Sequence, residues 1–213
     1  MSELELGHPT SAADWAAVRG ICCDTGAAGG QPIAEHRRPF FGELWIGPYQ
    51  RLLPGWTFVA RAEDRVVGYL TGCPSSFPFY LRRSFGQRLP LLAGVLAGRW
   101  GWTEDVRRFV FPLGGLLRNF ALRFGPRLYA RLMLRYPAHL HINVDAARRT
   151  AGLGRKLIDA YVDALEARGV RGLHLFCGKN PVAFYRRTGF HKLACLDLGR
   201  GPVYIMVRRL KKR

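Results

Sequence analysis

The stretch "NVDAARRTAGLGRKLIDAYVDALEARG", residues 143–169, contains the pattern that decides the fold. A hydrophobic run ends here, two arginines follow, and Gly152 and Gly154 precede a segment whose apolar residues have helical spacing. A strand that becomes a helix through such glycines exposes backbone N–H groups without a partner inside the helix, and the helix dipole adds partial positive charge. The pattern favours an anion site for a phosphate or pyrophosphate. An ordinary tight connection between a strand and a helix also fits it.

Two familiar nucleotide-binding patterns do not fit this stretch. A dinucleotide-binding fingerprint needs a third glycine three residues after the second, and Leu157 is at that position. A Walker phosphate loop needs Gly-Lys-Ser/Thr, whereas Gly154 is followed by Arg155 and Lys156. Both kinds of site are therefore excluded.

The composition is that of a globular protein with a strong positive charge. The chain has 213 residues and is 48% hydrophobic, which suits one domain, alone or with an insertion. Its formal net charge is +18, mostly from arginine, and such a field favours a phosphorylated cofactor, nucleic acid or an acidic membrane surface. A GC-rich genome produces the same arginine excess without a functional cause, so the charge alone does not choose a partner.

The cysteines and the N-terminus indicate a reducing compartment. The five cysteines are odd in number, and no pair has the spacing of zinc ligands. The start "MSELELGHPT" lacks the basic and apolar parts of a signal peptide. The longest apolar run, residues 89–98, is too short for a membrane span, which needs about 20 residues. We therefore expect free thiols, no metal site and a cytoplasmic location.

The N-terminal third of the chain contains signals for helices and a hairpin. Ser11 followed by Asp14 is a variant of the capping box that begins a helix. Glu63 and Asp64 separate two runs rich in apolar residues and predict the turn of a β-hairpin. The predicted elements are an edge strand at 4–7, helices at 11–25 and 34–45, a loop at 24–30 and a hairpin at 55–72.

Residues 74–137 differ from the rest of the chain. They contain eleven arginines and only two acidic residues, Glu104 and Asp105, and therefore have a net charge of +9. Several prolines interrupt a mixture of arginine, leucine and aromatic residues. We expect several short amphipathic helices here.

From residue 138 onward, strand and helix patterns alternate. Asn180 is the predicted N-cap of a short helix that has Pro181 at its first position. The order of elements predicts an α/β domain with a mixed sheet. The predicted elements are strands at 139–144 and 171–177, helices at 152–168 and 180–189, and closing strands at 190–198 and 202–210. The first of these helices has the apolar stripe Leu153, Leu157, Ile158, Tyr161 and Leu165.

Two motifs in this C-terminal part resemble a known family. Arg149-x-x-Gly152-x-Gly154 follows "INVDAAR", and "AFYRRTGF", residues 183–190, comes later in the chain. In this order and spacing they resemble the coenzyme A site of the GNAT N-acetyltransferase superfamily. The resemblance covers residues 139–197 and is weaker over 1–72. "CDTGAAGG", "IGPY" and "HLHINV" are more specifically similar to bacterial acetyltransferases related to the acetyltransferase-like domain of O-GlcNAcase.

The resemblance implies a fold and an activity. The fold is a single α/β (α+β) domain over 1–213, with a mixed, mostly antiparallel central sheet flanked by helices. Residues 74–137, which contain no motif of the family, are then a basic helical insertion, and 138–197 are the coenzyme A-binding core. The implied enzyme is an acyltransferase that moves the acetyl group of acetyl-CoA directly to an amine. The sequence does not name the amine, which belongs to a small molecule or a protein.

The resemblance also implies the cofactor-binding residues. The pyrophosphate of acetyl-CoA would accept hydrogen bonds from backbone N–H groups between Arg149 and Arg155. The pantetheine arm would bond to the backbone of Ile142 and Val144, like an extra strand. The implied residues are Ile142, Asn143, Val144, Arg149, Thr150, Ala151, Gly152, Leu153, Gly154, Arg155, Asn180, Phe184 and Tyr185.

The chain departs from the family pattern at two positions. The usual proline two residues after the valine is Ala146 here, which leaves the backbone donors unaffected. The usual asparagine seven residues before the tyrosine is Gly178, whereas Asn180 is five residues before Tyr185. A role for Asn180 as a helix cap alone is therefore an alternative to a cofactor contact.

Three residues are the chief candidates for catalysis, and Asp145 and Asp24 are weaker candidates for the general base. By the resemblance, Tyr185 falls where the family often has the acid that protonates the leaving thiolate, and simple packing beside Phe184 is the alternative. His139 and His141 lie two apart on a strand and face the same side, so either is a candidate general base or a structural histidine. We expect direct transfer rather than a covalent route through Cys177, whose expected role is that of a small buried residue.

Two functions of other classes remain open. One is a coenzyme A-binding domain without catalysis, acting as a sensor or scaffold. The other is a protein that docks on an anionic membrane or nucleic acid through 74–137, where arginines and aromatic residues are interleaved. Release of free coenzyme A with a panel of amines separates the first from an enzyme. The sequence also leaves a homodimer open.

Overall fold

A sheet of seven strands is at the centre of the computed structural model, which describes residues 4–26, 30–110, 120–148, 152–197 and 201–211. The strand order is β1-β2-β3-β4-β5-β7-β6. The strands are β1 (Leu4–Gly7), β2 (Thr57–Ala62), β3 (Arg65–Cys73), β4 (Ala138–Val144), β5 (Gly172–Cys177), β6 (His191–Asp197) and β7 (Pro202–Arg209).

Helices flank this sheet on both faces. Three further short segments, at 35–37, 54–56 and 146–148, are 3₁₀ turns. The α-helices are α1 (Ala12–Asp24), α2 (Arg38–Trp45), α3 (Gly47–Leu52), α4 (Ser76–Gly86), α5 (Arg88–Leu96), α6 (Glu104–Val110), α7 (Phe120–Arg135), α8 (Leu153–Ala167) and α9 (Val182–Arg187).

The sheet is mixed because one pair of its strands is parallel. β4 and β5 run parallel, as expected for strands joined through the crossover helix α8. Every other neighbouring pair is antiparallel. The predicted fold, a mostly antiparallel mixed sheet flanked by helices, is therefore confirmed.

The local signals in the N-terminal third form the structures they predict. The Ser11 hydroxyl accepts the N–H of Asp14 (3.1 Å), and the Asp14 carboxylate accepts the N–H of Ser11 (3.2 Å), so the capping box is reciprocal. The N–H of Thr10, which also donates to this carboxylate, lowers its pKa to about 2. Glu63 and Asp64 both have positive φ, 53° and 60°, and form the predicted hairpin turn.

The prediction of one helix over 34–45 is wrong in its boundaries. The segment Glu35–Arg37 is a 3₁₀ turn, α2 begins only at Arg38, and α3 follows directly after it. Pro39 and Pro48 lie in the first turns of α2 and α3. Proline has no N–H to donate and is tolerated only in the first turn of a helix, so each proline marks a new start.

The basic segment between β3 and β4 is helical, as its pattern predicts. Its described residues form α4, α5, α6 and α7, while 111–119 lie outside the described residues. Within α7 the backbone is not helical at Gly125 (φ 69°), which precedes Pro126. The segment leaves the sheet at Cys73 and returns at Ala138, and the N–H of Ser76 donates to the carbonyl oxygen of Pro137 (2.7 Å) across its base.

The main core lies between α8 and one face of the sheet. The predicted stripe of α8 is buried there; its five side chains are each at most 1% exposed. The Tyr161 hydroxyl donates to the carbonyl oxygens of His139 (2.8 Å) and Cys73 (3.1 Å). A Cβ atom at Gly72 would collide with that hydroxyl, so the glycine in β3 is required for α8 to approach the sheet this closely.

The opposite face of the sheet is covered by several helices from different parts of the chain. α1 packs on β2 and β3 through Val18, and α7 packs on β7 through Leu132. α3 and α4 meet the end of β3 through Tyr49 and Phe79, which pack with Cys73. The candidate histidines of β4 lie on this second face.

All five cysteines are free, and four of them are buried. Among the described residues, no helix is both long enough and apolar enough to cross a bilayer.

Candidate functional site

The strands β4 and β5 separate partway along the sheet. They pair only at their first residues, through Ala138 with Leu173 and His139 with His174. β4 continues to Val144 while still paired with β3 on its other side. Beyond His139, the side of β4 that faces β5 therefore has no strand partner among the described residues.

The separation leaves two backbone positions of β4 directed into a gap. In an antiparallel pair, alternate residues direct both backbone groups to the same neighbour. The N–H of Asp145 donates to the carbonyl oxygen of Val67 (2.9 Å), so the odd-numbered residues of β4 face β3. The N–H and C=O groups of Ile142 and Val144 consequently face the gap, in the orientation that the predicted pantetheine contact requires. Asn143, predicted with them, directs its backbone to β3 instead.

The turn that follows β4 is open at Gly152. Arg149, Thr150 and Ala151, all predicted to bind the cofactor, lie outside the described residues. Gly152 has a φ of 70°, and a Cβ atom placed on it would meet no heavy atom within 4 Å. No side chain caps α8, and within the part of the chain that is described the N–H groups of Leu153 and Gly154 have no acceptor.

Gly154, the second glycine of the motif, is needed for helix packing and not only for an open anion site. A Cβ atom at Gly154 would lie 2.9 Å from Cζ of Phe184, so this glycine allows α8 to pack against α9. The Leu153 side chain is in the core, and only its backbone reaches the turn. The guanidinium of Arg155 is exposed and lies 3.6 Å from the carboxylate of Asp159 in the next helical turn.

Tyr185 lies in the core on the α8 side of the sheet. Its ring centroid is 5.2 Å from that of Phe184 and 5.7 Å from that of Phe190. Burial, with a smaller contribution from Cys177, raises the pKa of Tyr185 above its ordinary value. The phenol therefore remains protonated at neutral pH and is able to donate a hydrogen bond.

Cys177 ends β5 near this phenol. Burial raises the pKa of its thiol to about 11, so the sulfur is protonated at neutral pH. Because the thiolate is the nucleophilic form of cysteine, this environment disfavours a covalent route through Cys177.

The prediction that Asn180 caps α9 is wrong. The helix begins at Val182, Pro181 occupies the N-cap position with ψ near 0°, and no side chain makes a capping hydrogen bond. The carbonyl oxygen of Pro181 accepts the N–H of Tyr185 (3.1 Å). Asn180 is exposed one residue earlier, where its side chain does not reach the first N–H groups of the helix.

His139 is enclosed by side chains from β3, α3 and α4. Its Nε2 lies 2.8 Å from the hydroxyl of Tyr49, and its Nδ1 lies 2.8 Å from that of Ser76 and 3.1 Å from Sγ of Cys73. The ring of Tyr80 stacks on it at 5.2 Å. Burial, with nearby His174 adding to it, holds the pKa of His139 well below its ordinary value. Both ring nitrogens are engaged inside the protein, and this does not favour His139 as a base.

His141 lies on the same face but farther along β4, where it is half-buried. Its Nε2 is 3.1 Å from the hydroxyl of Tyr69 and 3.1 Å from the amide nitrogen of Asn143, which donates to that hydroxyl at 2.8 Å. The indole of Trp45 stacks on the imidazole, with ring centroids 5.9 Å apart. Burial lowers the pKa of His141 to about 4, so the ring is neutral at pH 7. Its Nδ1 has no hydrogen-bond partner among the described residues. We call His141, Tyr69, Asn143 and Trp45 the acceptor-side cluster.

Two members of the acceptor-side cluster were not predicted from the sequence. Tyr69 of β3 is fully buried. It pairs with Asn143 of β4, so its side chain lies on the same face of the sheet as those of Asn143 and His141. Trp45 ends α2 and is 42% exposed, an uncommon exposure for so large an apolar side chain. The alternation of β3 identifies Tyr69 once the register with β4 is known, but no local signal indicates that α2 brings Trp45 to His141.

No protein-family model matches the chain. The structure is similar to the crystal structure of SsHAT, with a TM-score of 0.71 and 27% sequence identity. The alignment covers 97% of this chain and 98% of that protein. The resemblance inferred from the two C-terminal motifs is therefore confirmed in the solved structures.

More distant structures share the same fold. A ribosomal-protein-alanine N-acetyltransferase from Brucella melitensis aligns with a TM-score of 0.55 at 18% identity, over 97% of this chain and 99% of that one. The structure of yncA from Salmonella typhimurium with its cofactor acetyl-CoA aligns with a TM-score of 0.55 at 15% identity, over 99% and 95%. Together the likenesses establish the GNAT fold and support acetyl transfer in general as the class of reaction.

Proposed function

We propose that this chain, whose fold is that of the GNAT acetyltransferases, moves the acetyl group of acetyl-CoA directly to an amine. The gap between β4 and β5 is the observation that supports this most. Backbone polar groups in the middle of a sheet are nearly always paired, yet those of Ile142 and Val144 face the gap. An extended ligand with amide groups, such as a pantetheine arm, satisfies them in the way that a neighbouring strand would.

The residues around the gap fit acetyl-CoA in both shape and charge. The open turn at Gly152 and the N–H groups of Leu153 and Gly154, which have no acceptor among the described residues, suit a pyrophosphate. Arg155 adds a full positive charge at the same end of α8. Arg149, Thr150 and Ala151 would complete the turn, and Asn180, Phe184 and Tyr185 remain predicted contacts. Acetyl-CoA supplies a thioester whose carbonyl carbon is open to attack by an amine.

His141 is the base in this proposal. A histidine whose pKa is about 4 is too weak a base to deprotonate a free ammonium group, so the amine must bind in its neutral form. The nitrogen becomes strongly acidic only as its bond to the acetyl carbon forms. His141 then accepts the proton at Nδ1, which has no partner among the described residues, while its Nε2–H donates to the Tyr69 hydroxyl, and Asn143 orients that hydroxyl by donating to it. Trp45 forms a wall of the acceptor site beside it.

Tyr185 acts on the other side of the gap in this proposal. Its raised pKa makes complete proton transfer to a thiolate unfavourable, so its contribution is a hydrogen bond to the departing sulfur. Replacing Tyr185 with Phe is then expected to lower kcat about tenfold and to leave the KM for acetyl-CoA unchanged. Steady-state kinetics with one amine acceptor measures both constants.

A pair of glycine variants tests the cofactor site. Gly152 and Gly169 flank α8 at opposite ends, have nearly the same φ (70° and 68°), and each has open space where a Cβ atom would be. Gly152→Asp places a carboxylate beside the proposed pyrophosphate, whereas Gly169→Asp introduces the same strain and charge away from it. In calorimetry with acetyl-CoA, we expect Gly152→Asp to lose binding and Gly169→Asp to retain it. Equal affinity in both variants, with both shown to be folded by thermal denaturation, contradicts the proposal.

Turnover separates an enzyme from a binding domain. The wild-type protein is incubated with acetyl-CoA and a panel of small amines and amine-bearing peptides, and release of free coenzyme A is followed with a thiol reagent. An acceptor that raises the rate at least about tenfold over hydrolysis supports catalysis. Tight binding of acetyl-CoA without turnover on any acceptor supports the non-catalytic alternative.

A further inference from the structure

The helices α4 and α5 expose a row of large apolar side chains. Phe77, Leu81, Leu89, Leu92 and Leu96 have 63%, 55%, 64%, 39% and 81% of their surface accessible. Single exposed apolar residues are ordinary, but a row of them on one element marks an interaction surface. We call these five residues the α4–α5 face.

The five side chains lie along one side of an almost continuous helix. The N–H of Gln87, between α4 and α5, donates to the carbonyl oxygen of Arg83 (3.1 Å), and the Gln87 carbonyl oxygen accepts the N–H of Leu91 (3.0 Å). Helical hydrogen bonds therefore continue through the junction. Positions 77, 81, 89, 92 and 96 are separated by multiples of three or four residues, which places them on a single face.

The opposite side of the same helices is fixed to the protein. Leu91 is buried with Phe40 of α2 and Val106 of α6, and no space remains for a Cβ atom at Gly94 beside Trp100. The buried side-chain amide of Gln87 donates to the carbonyl oxygen of Leu44 (3.0 Å). This attachment makes the α4–α5 face a rigid, outward-directed surface.

Within the stretch of chain that contains this face, all the charged side chains are positive. Residues 74–103 include four arginines and no aspartate or glutamate. Arg82, Arg88 and Arg99 are exposed on α4, on α5 and just after α5. Apolar side chains flanked by exposed arginines are complementary to a partner with negative groups at its surface and apolar groups beneath them.

We propose that the α4–α5 face docks on an anionic lipid bilayer, with α4 and α5 lying in the plane of the interface. Leucine and phenylalanine side chains enter the region of the acyl chains, and the arginines contact lipid phosphates. No described helix is able to cross a bilayer, so the contact is peripheral. This inference does not depend on the proposed acetyl transfer.

The composition of the face disfavours the other occupants. Nucleic acid is bound through phosphate contacts and by stacking of bases on aromatic rings, and four of the five residues here are leucines. A second copy would bring the same basic segments together without acidic partners, in a chain whose net charge is +18.

The α4–α5 face and the proposed cofactor turn are at opposite ends of β4. The insertion joins the sheet where Cys73 pairs with His139, and the turn follows the pair Gly68 and Val144 at the other end. Variants of the face are therefore expected to leave acetyl-CoA binding intact, which gives each variant an internal check of folding.

Sedimentation with vesicles tests the proposal on the full chain. The wild type, the double variant Leu89→Glu/Leu96→Glu and the double variant Arg82→Gln/Arg99→Gln are mixed with vesicles of phosphatidylcholine, with or without phosphatidylglycerol. Leu134→Glu is the matched control, because Leu134 is an exposed leucine (73%) on α7, outside the face. We expect wild-type binding to be at least about tenfold stronger with phosphatidylglycerol, and each double variant to lower it by about tenfold or more. Leu134→Glu is expected to bind within about twofold of the wild type.

Each other outcome overturns the proposal. If the wild type does not bind phosphatidylglycerol vesicles, the proposal is wrong. It is also wrong if the wild type binds them and Leu89→Glu/Leu96→Glu binds equally well. Binding to duplex DNA that the arginine variant alone abolishes, without vesicle binding, assigns the face to nucleic acid. A dimer in light scattering that the leucine variant dissociates, without vesicle binding, assigns it to a second copy.

Discussion

His139 and His141 are two residues apart on the same face of β4, yet their surroundings differ in almost every respect. His139 is 5% exposed, and both of its ring nitrogens have partners from β3, α3 and α4. His141 is half-buried, has one nitrogen engaged by Tyr69 and Asn143, and lies under the exposed indole of Trp45. Strand alternation directs both side chains to the same face of the sheet. The helices that cover this face bury His139 and leave His141 partly accessible.

The difference shows what burial and partners do to one residue type. Burial lowers the pKa of both histidines, so both are neutral at pH 7. Both ring nitrogens of His139 are hydrogen-bonded, to Tyr49 of α3 and Ser76 of α4, so this residue holds β4 to the helices that cover it. Nδ1 of His141 has no hydrogen-bond partner in the described part of the chain, and the exposed indole of Trp45 lies against the ring, so His141 is the better candidate for chemistry.

The largest expected effect is on the activity of His141→Ala. Removing a positioned base costs about 10²- to 10⁴-fold in rate, so kcat/KM is expected to fall by that amount, while the free energy of unfolding changes by less than about 1 kcal/mol. Steady-state kinetics and urea denaturation measure the two quantities. His191→Ala, at an exposed strand position, is the matched control. Full activity in His141→Ala contradicts its role as the base.

The reverse pattern is expected for His139→Ala. The change leaves a cavity and removes the partner of the buried Tyr49 hydroxyl, while the Ser76 hydroxyl keeps its hydrogen bond to the carbonyl oxygen of Pro137, so we expect the free energy of unfolding to fall by about 3 kcal/mol. Urea denaturation at pH 7 measures the loss. Affinity for acetyl-CoA, measured where the variant is folded, is expected to remain near that of the wild type. A stable His139→Ala protein that has lost activity would reverse the assignment of the two histidines.

Acid is expected to destabilise the interior end of β4. Burial lowers the pKa of fully buried His174 to about 4 and that of His139 well below its ordinary value of 6.5. The unfolded chain takes up protons at these residues below about pH 6.5, whereas in the folded chain His174 does so only near pH 4 and His139 only well below pH 6.5. Stability is thus complete above pH 6.5 and is lost as the pH falls, by about 1 kcal/mol per pH unit for each histidine.

Denaturation curves between pH 7 and pH 4.5 measure this slope. His174→Asn is expected to reduce the slope by the contribution of one proton. A free energy of unfolding that is the same at pH 6.5 and pH 4.5 contradicts the assignment of buried neutral histidines.

The smallest expected effects come from a matched pair of hydroxyl deletions. Tyr49→Phe removes the partner of His139, and Tyr69→Phe removes the hydroxyl that holds His141. The first is expected to lower the free energy of unfolding by about 1 kcal/mol without changing kcat. The second is expected to lower kcat about tenfold, with the loss concentrated in kcat rather than in KM, because Tyr69 is a positioning residue. If both variants changed kcat equally, the assignment of a structural role to His139 and a catalytic role to His141 would be contradicted.

Much of the fold is predictable because its signals are local. The capping box at Ser11, the Glu63–Asp64 turn and the apolar stripe of α8 each depend on residues a few positions apart, and all three are present in the structure. The errors concern the residues at which short helices begin. Asn180 has the chemistry of a cap, but Pro181 occupies the cap position.

The candidate site likewise has features that the sequence predicts and features that it does not. The glycine turn and the strand histidines are identifiable in the sequence, because strand alternation and the spacing of the motif are local properties. The packing of Gly154 on Phe184 and of Trp45 on His141 is not, because each joins segments that are distant in the chain. Such contacts depend on how whole helices are placed on the sheet.

The sequence by itself determined the order of strands and helices, the glycine turn after β4 and the common direction of the two histidines, since periodicity and backbone geometry act over a few residues. Only the tertiary structure decided which histidine is enclosed, that β5 leaves β4 after His139, and that α4 and α5 direct their leucines outward. These features arise from helices packing on the sheet across tens of residues of chain, and no short pattern specifies such contacts.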